Sequence, residues 1–148
     1  MLYSFFAALL LLLQHTSPIL PDAKLTPVAT RTVTLAEVCT PGSSKKARAV
    51  ADSTKDSVYA SYHILRHKKG EYEIDHLISL ELGGSNSRKN LWPQSYITKP
   101  YNAHVKDKLE NELHSEICTH KITMPQAQME ISHNWVKAYQ TRFEKKSP

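Results

Sequence analysis

Two short stretches decide the fold of this chain: EYEIDHLISLELGGSN at residues 71–86 and KNLWPQ at residues 89–94. Apolar and polar side chains alternate over residues 72–76, which predicts a β-strand. The Gly-Gly pair in the first stretch allows a turn at positive φ. The Leu-Trp pair in the second stretch predicts a short return strand before the proline. We therefore expect two strands joined by a long loop.

Helices are predicted on both sides of these strands. The first is expected over residues 52–65, with Asp52 or Ser53 as its cap. A second helix begins near Pro100, and a third begins at Thr123, where a capping box is completed three residues later. The apolar stripe of the second helix consists of Val105, Leu109, Leu113 and Ile117. Strands and helices together predict an α+β domain.

Composition narrows the class of protein. The chain has 148 residues, of which 41% are hydrophobic and 22% are charged, as in an ordinary globular domain. Its two cysteines are too few for a zinc module with four thiolate ligands. Since no apolar run reaches the roughly 18–20 residues of a membrane-spanning helix, we expect no stable membrane span.

The N-terminus is typical of a secretory signal peptide, because residues 2–13 are apolar apart from one serine. We expect the signal at residues 1–23, with cleavage before Lys24; a hydrophobic helix packed into the domain is the alternative. A flexible lead-in at 24–37, the domain at 38–143 and a polar tail at 144–148 follow. The expected location is therefore secreted or periplasmic.

Charge and cysteines fit an exported protein with an anionic partner. The formal net charge is +5, and removal of the signal, which contains one acidic and no basic residue, raises it to +6. That excess favours nucleic acid, a phospholipid surface or an acidic glycan. In an oxidising compartment Cys39 and Cys118 are expected to form a disulfide worth about 4 kcal/mol, with two buried thiols as the alternative.

The segment from Asp75-His76 through Gly-Gly to Asn90-Leu91 resembles the HNH endonuclease family of ββα-metal nucleases. The stretch NAHVKDKLEN at residues 102–111, the segment around Cys118 and the Trp135 helix resemble a small secreted bacterial subgroup of it. The resemblance spans residues 38–139. It implies a ββα-metal core with flanking helices and one disulfide, and an enzyme that hydrolyses phosphodiester bonds.

The resemblance also implies site residues, position by position. His76 matches the general base, which an imidazole can be because it titrates near neutral pH. Asp75 matches a metal ligand, and Asn90 matches the residue that braces the loop carrying the base. The third motif position departs from the family, so Asn102 is the preferred second ligand and His104 the alternative. The expected cofactor is a divalent cation, Mg²⁺ first, with Mn²⁺ or a transition metal as alternatives.

The expected activity is non-specific cleavage of DNA by a monomer. Arg88, Lys89 and Lys106 are the candidate phosphate-binding residues. Two other functions fit the same sequence. One is a secreted module of the same fold that binds nucleic acid without cleaving it, and the other is a disulfide-stabilised domain that binds a protein.

Overall fold

The computed structural model describes residues 19–144. The tail at 145–148 and most of the expected signal peptide, residues 1–18, lie outside the described residues. Within residues 19–144 the protein is a mixed α+β structure with five helices and a two-stranded antiparallel sheet. The elements in chain order are α1 (Leu35–Val38), α2 (Ser43–Ala47), α3 (Asp52–Ser61), β1 (Tyr72–His76), β2 (Leu91–Ser95), α4 (Ala103–Cys118) and α5 (Met124–Phe143), with 3₁₀ turns at Leu80–Leu82 and Arg88–Asn90.

The hairpin places the Asp-His pair at the end of a strand. β1 pairs with β2 so that His76 lies opposite Leu91 and Asp75 lies opposite Trp92. The return strand is longer than predicted and continues through Pro93. A proline is tolerated there because a sheet of two strands leaves one edge of each strand without a partner.

Helices α4 and α5 pack together to form most of the core. The buried side chains of this core include Leu109, Leu113, Ile117, Ala127, Ile131 and Trp135. The side chain of Asn102 caps α4 by accepting a hydrogen bond from the backbone N–H of Val105. The capping box predicted at Thr123 is confirmed, since Thr123 and Gln126 bond each other's backbone N–H groups.

Helix α5 is interrupted at Asn134, whose backbone is extended, with φ −163° and ψ 91°. The Asn134 side chain accepts a hydrogen bond from the N–H of Lys137 and so caps the second half of the helix. The next residue, Trp135, is buried and donates its indole N–H to the carbonyl oxygen of Ile19.

The segment at residues 24–37 is not the flexible lead-in that the sequence predicts. Thr26 is buried, and its hydroxyl donates to the carbonyl oxygen of Leu91 in β2. Thr30 forms a β-bridge with Gly84, and Thr34 caps α1. These hydrogen bonds join the segment to the rest of the domain.

The predicted disulfide is confirmed: Cys39 and Cys118 are bonded, with their Cα atoms 5.7 Å apart. The bond joins the residue after α1 to the last residue of α4. None of the helices within residues 19–144 is long and apolar enough to cross a membrane.

Candidate functional site

His76 is buried, with only 2% of its surface exposed, and one ring nitrogen is held by Asn86. Its Nε2 lies 3.0 Å from Asn86 Oδ1, and Asn86 Nδ2 donates to the carbonyl oxygen of Ala47 at 2.7 Å. The second bond fixes which end of the amide faces the ring. Because an amide oxygen only accepts, Nε2 carries the hydrogen, and the neutral ring has its lone pair on Nδ1.

Burial lowers the pKa of His76 below that of an ordinary histidine, because it disfavours the charged ring. The hydrogen bond that the ring donates to Asn86 and the charge of Asp75 oppose this change, whereas the cations Arg48 and Lys106 reinforce it. The imidazole is consequently neutral at neutral pH and able to accept a proton.

Asp75 is bound by a buried lysine. Lys106 Nζ lies 2.6 Å from Asp75 Oδ2 and also donates to the carbonyl oxygen of His76, at 2.7 Å, and to the Glu110 carboxylate. Burial by itself would lower the pKa of Lys106, but the charges of Asp75 and Glu110 outweigh it and raise that pKa. We call Asp75, Lys106 and Glu110 the buried triad.

This arrangement contradicts the expectation that Lys106 binds phosphate. The side chain is completely buried, and its three N–H groups are all used within the protein. Lys106 therefore serves as an internal cation that fixes the end of β1 against α4.

Negative charge accumulates around the triad. The pKa of Glu73 and the pKa of Asp107 are both raised, first by burial and then by repulsion from Asp75. The pKa of Glu81 is raised too, mainly by burial, with repulsion from Asp107 adding to it. Since Lys106 does not remove this excess of negative charge, a further cation would be stabilised near Asp75.

Asn90 is fully buried and braces the loop between the strands. Its Oδ1 accepts from the N–H of Ile78, and its Nδ2 donates to the carbonyl oxygens of Ile78 and Ser85. Gly84 makes this packing possible, because a Cβ there would overlap the Ile78 carbonyl oxygen. These contacts are of the kind expected for a residue that holds the loop after His76.

Asn102 and His104 both lie at the start of α4, near Lys106 and Asp107. The Asn102 oxygen is engaged in the helix cap, although an amide oxygen retains a second lone pair. His104 is exposed, stacks at a tilt on Tyr96 with ring centroids 5.0 Å apart, and has Nδ1 3.9 Å from Asp107 Oδ2. Metal binding by either residue stays a prediction.

Arg88 and Lys89 are exposed in the 3₁₀ turn that leads into β2. Ser87 caps this turn by accepting from the N–H of Lys89. Asn86 lies immediately before Ser87, so the turn is close in sequence to the residue that holds the base. Both side chains are exposed, so a phosphate in solution can approach them.

Within residues 19–144 a single group of three potential metal ligands has its ligand atoms within 4.8 Å of one another, namely Cys39, His114 and Cys118. Both sulfur atoms are used in the disulfide, so no thiolate is available to bind a metal. His114 Nε2 also lies 2.9 Å from the carbonyl oxygen of Val38. We therefore assign this group a structural role.

Sequence reasoning missed Asn86 and Glu110, and it left Arg48 unassigned. Asn86 stands inside the deciding stretch, but its partner Ala47 is 39 positions away in the chain. For Glu110 a signal was available, since Lys106 and Glu110 have the i,i+4 spacing that brings opposite charges together on a helix.

The comparisons with known proteins identify no family for this chain. Comparison with protein families, with curated proteins and with solved structures finds no match. Any functional conclusion therefore depends on the chemistry of the site itself.

Proposed function

We propose that the protein is a metal-dependent endonuclease of the ββα-metal, HNH-like type that hydrolyses phosphodiester bonds, with DNA as a non-specific substrate. One observation carries the proposal. A neutral histidine is held through Nε2, with its Nδ1 lone pair unprotonated, beside a carboxylate cluster that has more negative than positive charge.

In this proposal His76 is the general base. Its Nδ1 takes a proton from the attacking water, and the depressed pKa keeps the ring neutral before that step. Asn86 holds the other ring nitrogen and so fixes tautomer and orientation. Asn90 keeps the following loop in place through its bonds to Ile78 and Ser85.

The donors present suit a hard divalent cation such as Mg²⁺. Asp75 would bind it together with the helix residue Asn102 or His104, and the neighbouring carboxylates of Glu73 and Asp107 add favourable charge. When bound, the cation would offset negative charge on the phosphate and on the leaving oxygen. Since Mg²⁺ usually keeps several waters, one or two protein oxygens suffice, and no three-ligand cage is required.

The basic surface and the disulfide support the remaining parts of the proposal. Arg88 and Lys89 are exposed beside the site, and the chain has a net charge of +5, which suits binding to a phosphate backbone. A disulfide is stable in an oxidising compartment, which supports a secreted or periplasmic location. We infer that the protein acts there as a monomer.

Plasmid nicking tests the proposal. Oxidised protein is incubated with supercoiled plasmid in Mg²⁺, in Mn²⁺ and in chelator, beside His76→Gln, which keeps a donor for Asn86 but has no basic nitrogen. His133→Ala is the matched control, because His133 is exposed on α5 and takes no part in the hydrogen bonds that hold His76 and Asp75. We expect nicking that needs the metal, survives in the control and falls at least 100-fold in His76→Gln.

Two outcomes would contradict the proposal. Equal nicking by wild type and His76→Gln would show that a contaminant cleaves the plasmid. Salt-sensitive DNA binding without any nicking would favour the alternative of a module that binds nucleic acid without cutting it.

A further inference from the structure

We propose that Arg48, the residue after α2, binds the scissile phosphate beside His76 and stabilises the charge that develops on it. The inference rests on the proposed function, because it assigns a further residue to the same reaction. It depends on the way that one amide group joins the end of α2 to the base.

The position of Arg48 is fixed relative to the imidazole through two hydrogen bonds. Asn86 donates to the carbonyl oxygen of Ala47, at 2.7 Å, and accepts from His76 Nε2, at 3.0 Å. Arg48 follows Ala47 directly, and its N–H closes α2 by donating to the Ser44 carbonyl oxygen at 3.1 Å. The backbone that carries the guanidinium is thus anchored to the residue that holds the base.

Hydrogen bonds place Arg48 next to the site. One amide group, that of Asn86, separates the Ala47 carbonyl oxygen from the His76 ring. Arg48 follows Ala47 and is exposed, so a phosphate bound beside the ring lies within reach of its long side chain.

Arg48 is available to bind a ligand, whereas Lys106 and Arg142 are held in ion pairs. It is exposed, and no carboxylate in residues 19–144 lies within ion-pair distance of it. Lys106 is committed to the buried triad, and Arg142 is bonded to Glu116 and Glu130. Arg48 is therefore a solvent-exposed cation whose backbone is fixed beside the base.

A guanidinium suits a phosphodiester better than an ammonium does. Its planar fork donates two parallel hydrogen bonds to the two non-bridging oxygens. Those oxygens gain negative charge when water attacks phosphorus, so a donor placed there stabilises the transition state more than the bound substrate. Arg48 would supply this interaction from the α2 side, while the carboxylate cluster holds the cation.

The test compares Arg48→Ala and Arg48→Lys with Lys121→Ala, which removes the same charge from an exposed site beyond the far end of α4. In metal-supported nicking of plasmid, we expect Arg48→Ala to lower kcat by about 100-fold and Arg48→Lys to recover only part of it. Lys121→Ala should leave kcat unchanged. Equal kcat in Arg48→Ala and Lys121→Ala would overturn the inference.

A second measurement separates this inference from the proposed function. In chelator, where no cleavage occurs, a short single-stranded DNA is titrated into the protein while the His76 ring signals are followed by NMR. We expect the ring signals to shift in wild type and in Lys121→Ala, but at least tenfold more DNA to be needed in Arg48→Ala. Shifts that are identical in all three proteins would refute the role of Arg48, even if wild type cleaves DNA. Failure to nick plasmid with a normal, Arg48-dependent titration would refute only the nuclease.

Discussion

Replacing Lys106 with methionine is expected to destabilise the protein strongly and in a pH-dependent way. Methionine fills the space of the aliphatic chain but removes the ammonium that contacts Asp75, Glu110 and the carbonyl oxygen of His76. The carboxylates of Asp75 and Glu110 are each only 13% exposed, so water cannot replace the lost partner fully.

The magnitude follows from this loss of a buried partner. Removing one member of a buried ion pair costs about 3–5 kcal/mol, because the remaining charge stays uncompensated. That is a large fraction of the roughly 5–15 kcal/mol by which native domains are stable. With a urea slope of about 2 kcal/mol per molar, a loss of about 4 kcal/mol lowers the midpoint of unfolding by about 2 M.

The pH dependence has a defined sign. Burial raises the pKa of Glu110 in the folded protein, and Lys106 acts against this rise. Without Lys106 the pKa rises further, and a carboxyl with a raised folded pKa contributes stability at low pH that is lost as pH increases through that pKa. The pKa of Glu110 in the wild type is raised to about 8, so wild type and Lys106→Met lose this stability alike below that pH. Above it only the variant continues to lose stability, and the deficit of Lys106→Met relative to wild type should be larger at pH 9.5 than at pH 7.

Urea unfolding of wild type, Lys106→Met, Glu110→Gln and the double variant at both pH values measures these effects. We expect the double variant to be less destabilised than the sum of the single variants, because the two groups interact. A loss below about 1 kcal/mol in Lys106→Met, or a deficit independent of pH, would show that the buried triad does not work as described.

Three further outcomes are expected. Gly84→Ala should lose about 3 kcal/mol of stability in thermal unfolding, since its Cβ would overlap a backbone carbonyl; a variant as stable as wild type would contradict this packing. Serine at both Cys39 and Cys118 should lower the free energy of unfolding by about 4 kcal/mol in urea, and a loss under 1 kcal/mol would contradict it. In the pH–rate profile of nicking, the acid limb of wild type should lie below the ordinary histidine pKa of about 6.5. Asn86→Asp should move this limb to higher pH, because the added negative charge stabilises protonated His76. An acid limb at the same pH in both proteins would argue against the hydrogen bond between His76 and Asn86.

Patterns that are local in sequence predicted the fold well. The strand over residues 72–76 and the capping box at Thr123 depend on alternation or on a four-residue motif, and both are observed as predicted. The prediction of a flexible lead-in at residues 24–37 was wrong because the single proline and four threonines of this segment resemble a linker. Its order depends on distant partners such as the Leu91 carbonyl oxygen, which no local pattern reveals.

In the candidate site, too, local features could be predicted from the sequence and long-range contacts could not. The positions of His76 and Asn90 could be anticipated from the motif. The contact from Lys106 to Asp75 spans 31 positions and forms only when α4 packs against the hairpin. Charged side chains are usually solvated, which is why Lys106 was assigned to phosphate. A signal was nevertheless present, since Lys106 has the spacing of the buried residues Leu109 and Leu113 on the same helix.

The Cys39–Cys118 bond restrains the position of a short cationic segment, residues 40–48. Cys39, which precedes this segment, is joined covalently to the last turn of α4. Near the other end, the Asn86 amide donates a hydrogen bond to the carbonyl oxygen of Ala47. Reduction of the disulfide would remove the covalent restraint and widen the range of positions open to the Arg48 guanidinium at the end of the segment. If the protein cleaves DNA as proposed, the reduced form should accordingly cut less well than the oxidised form.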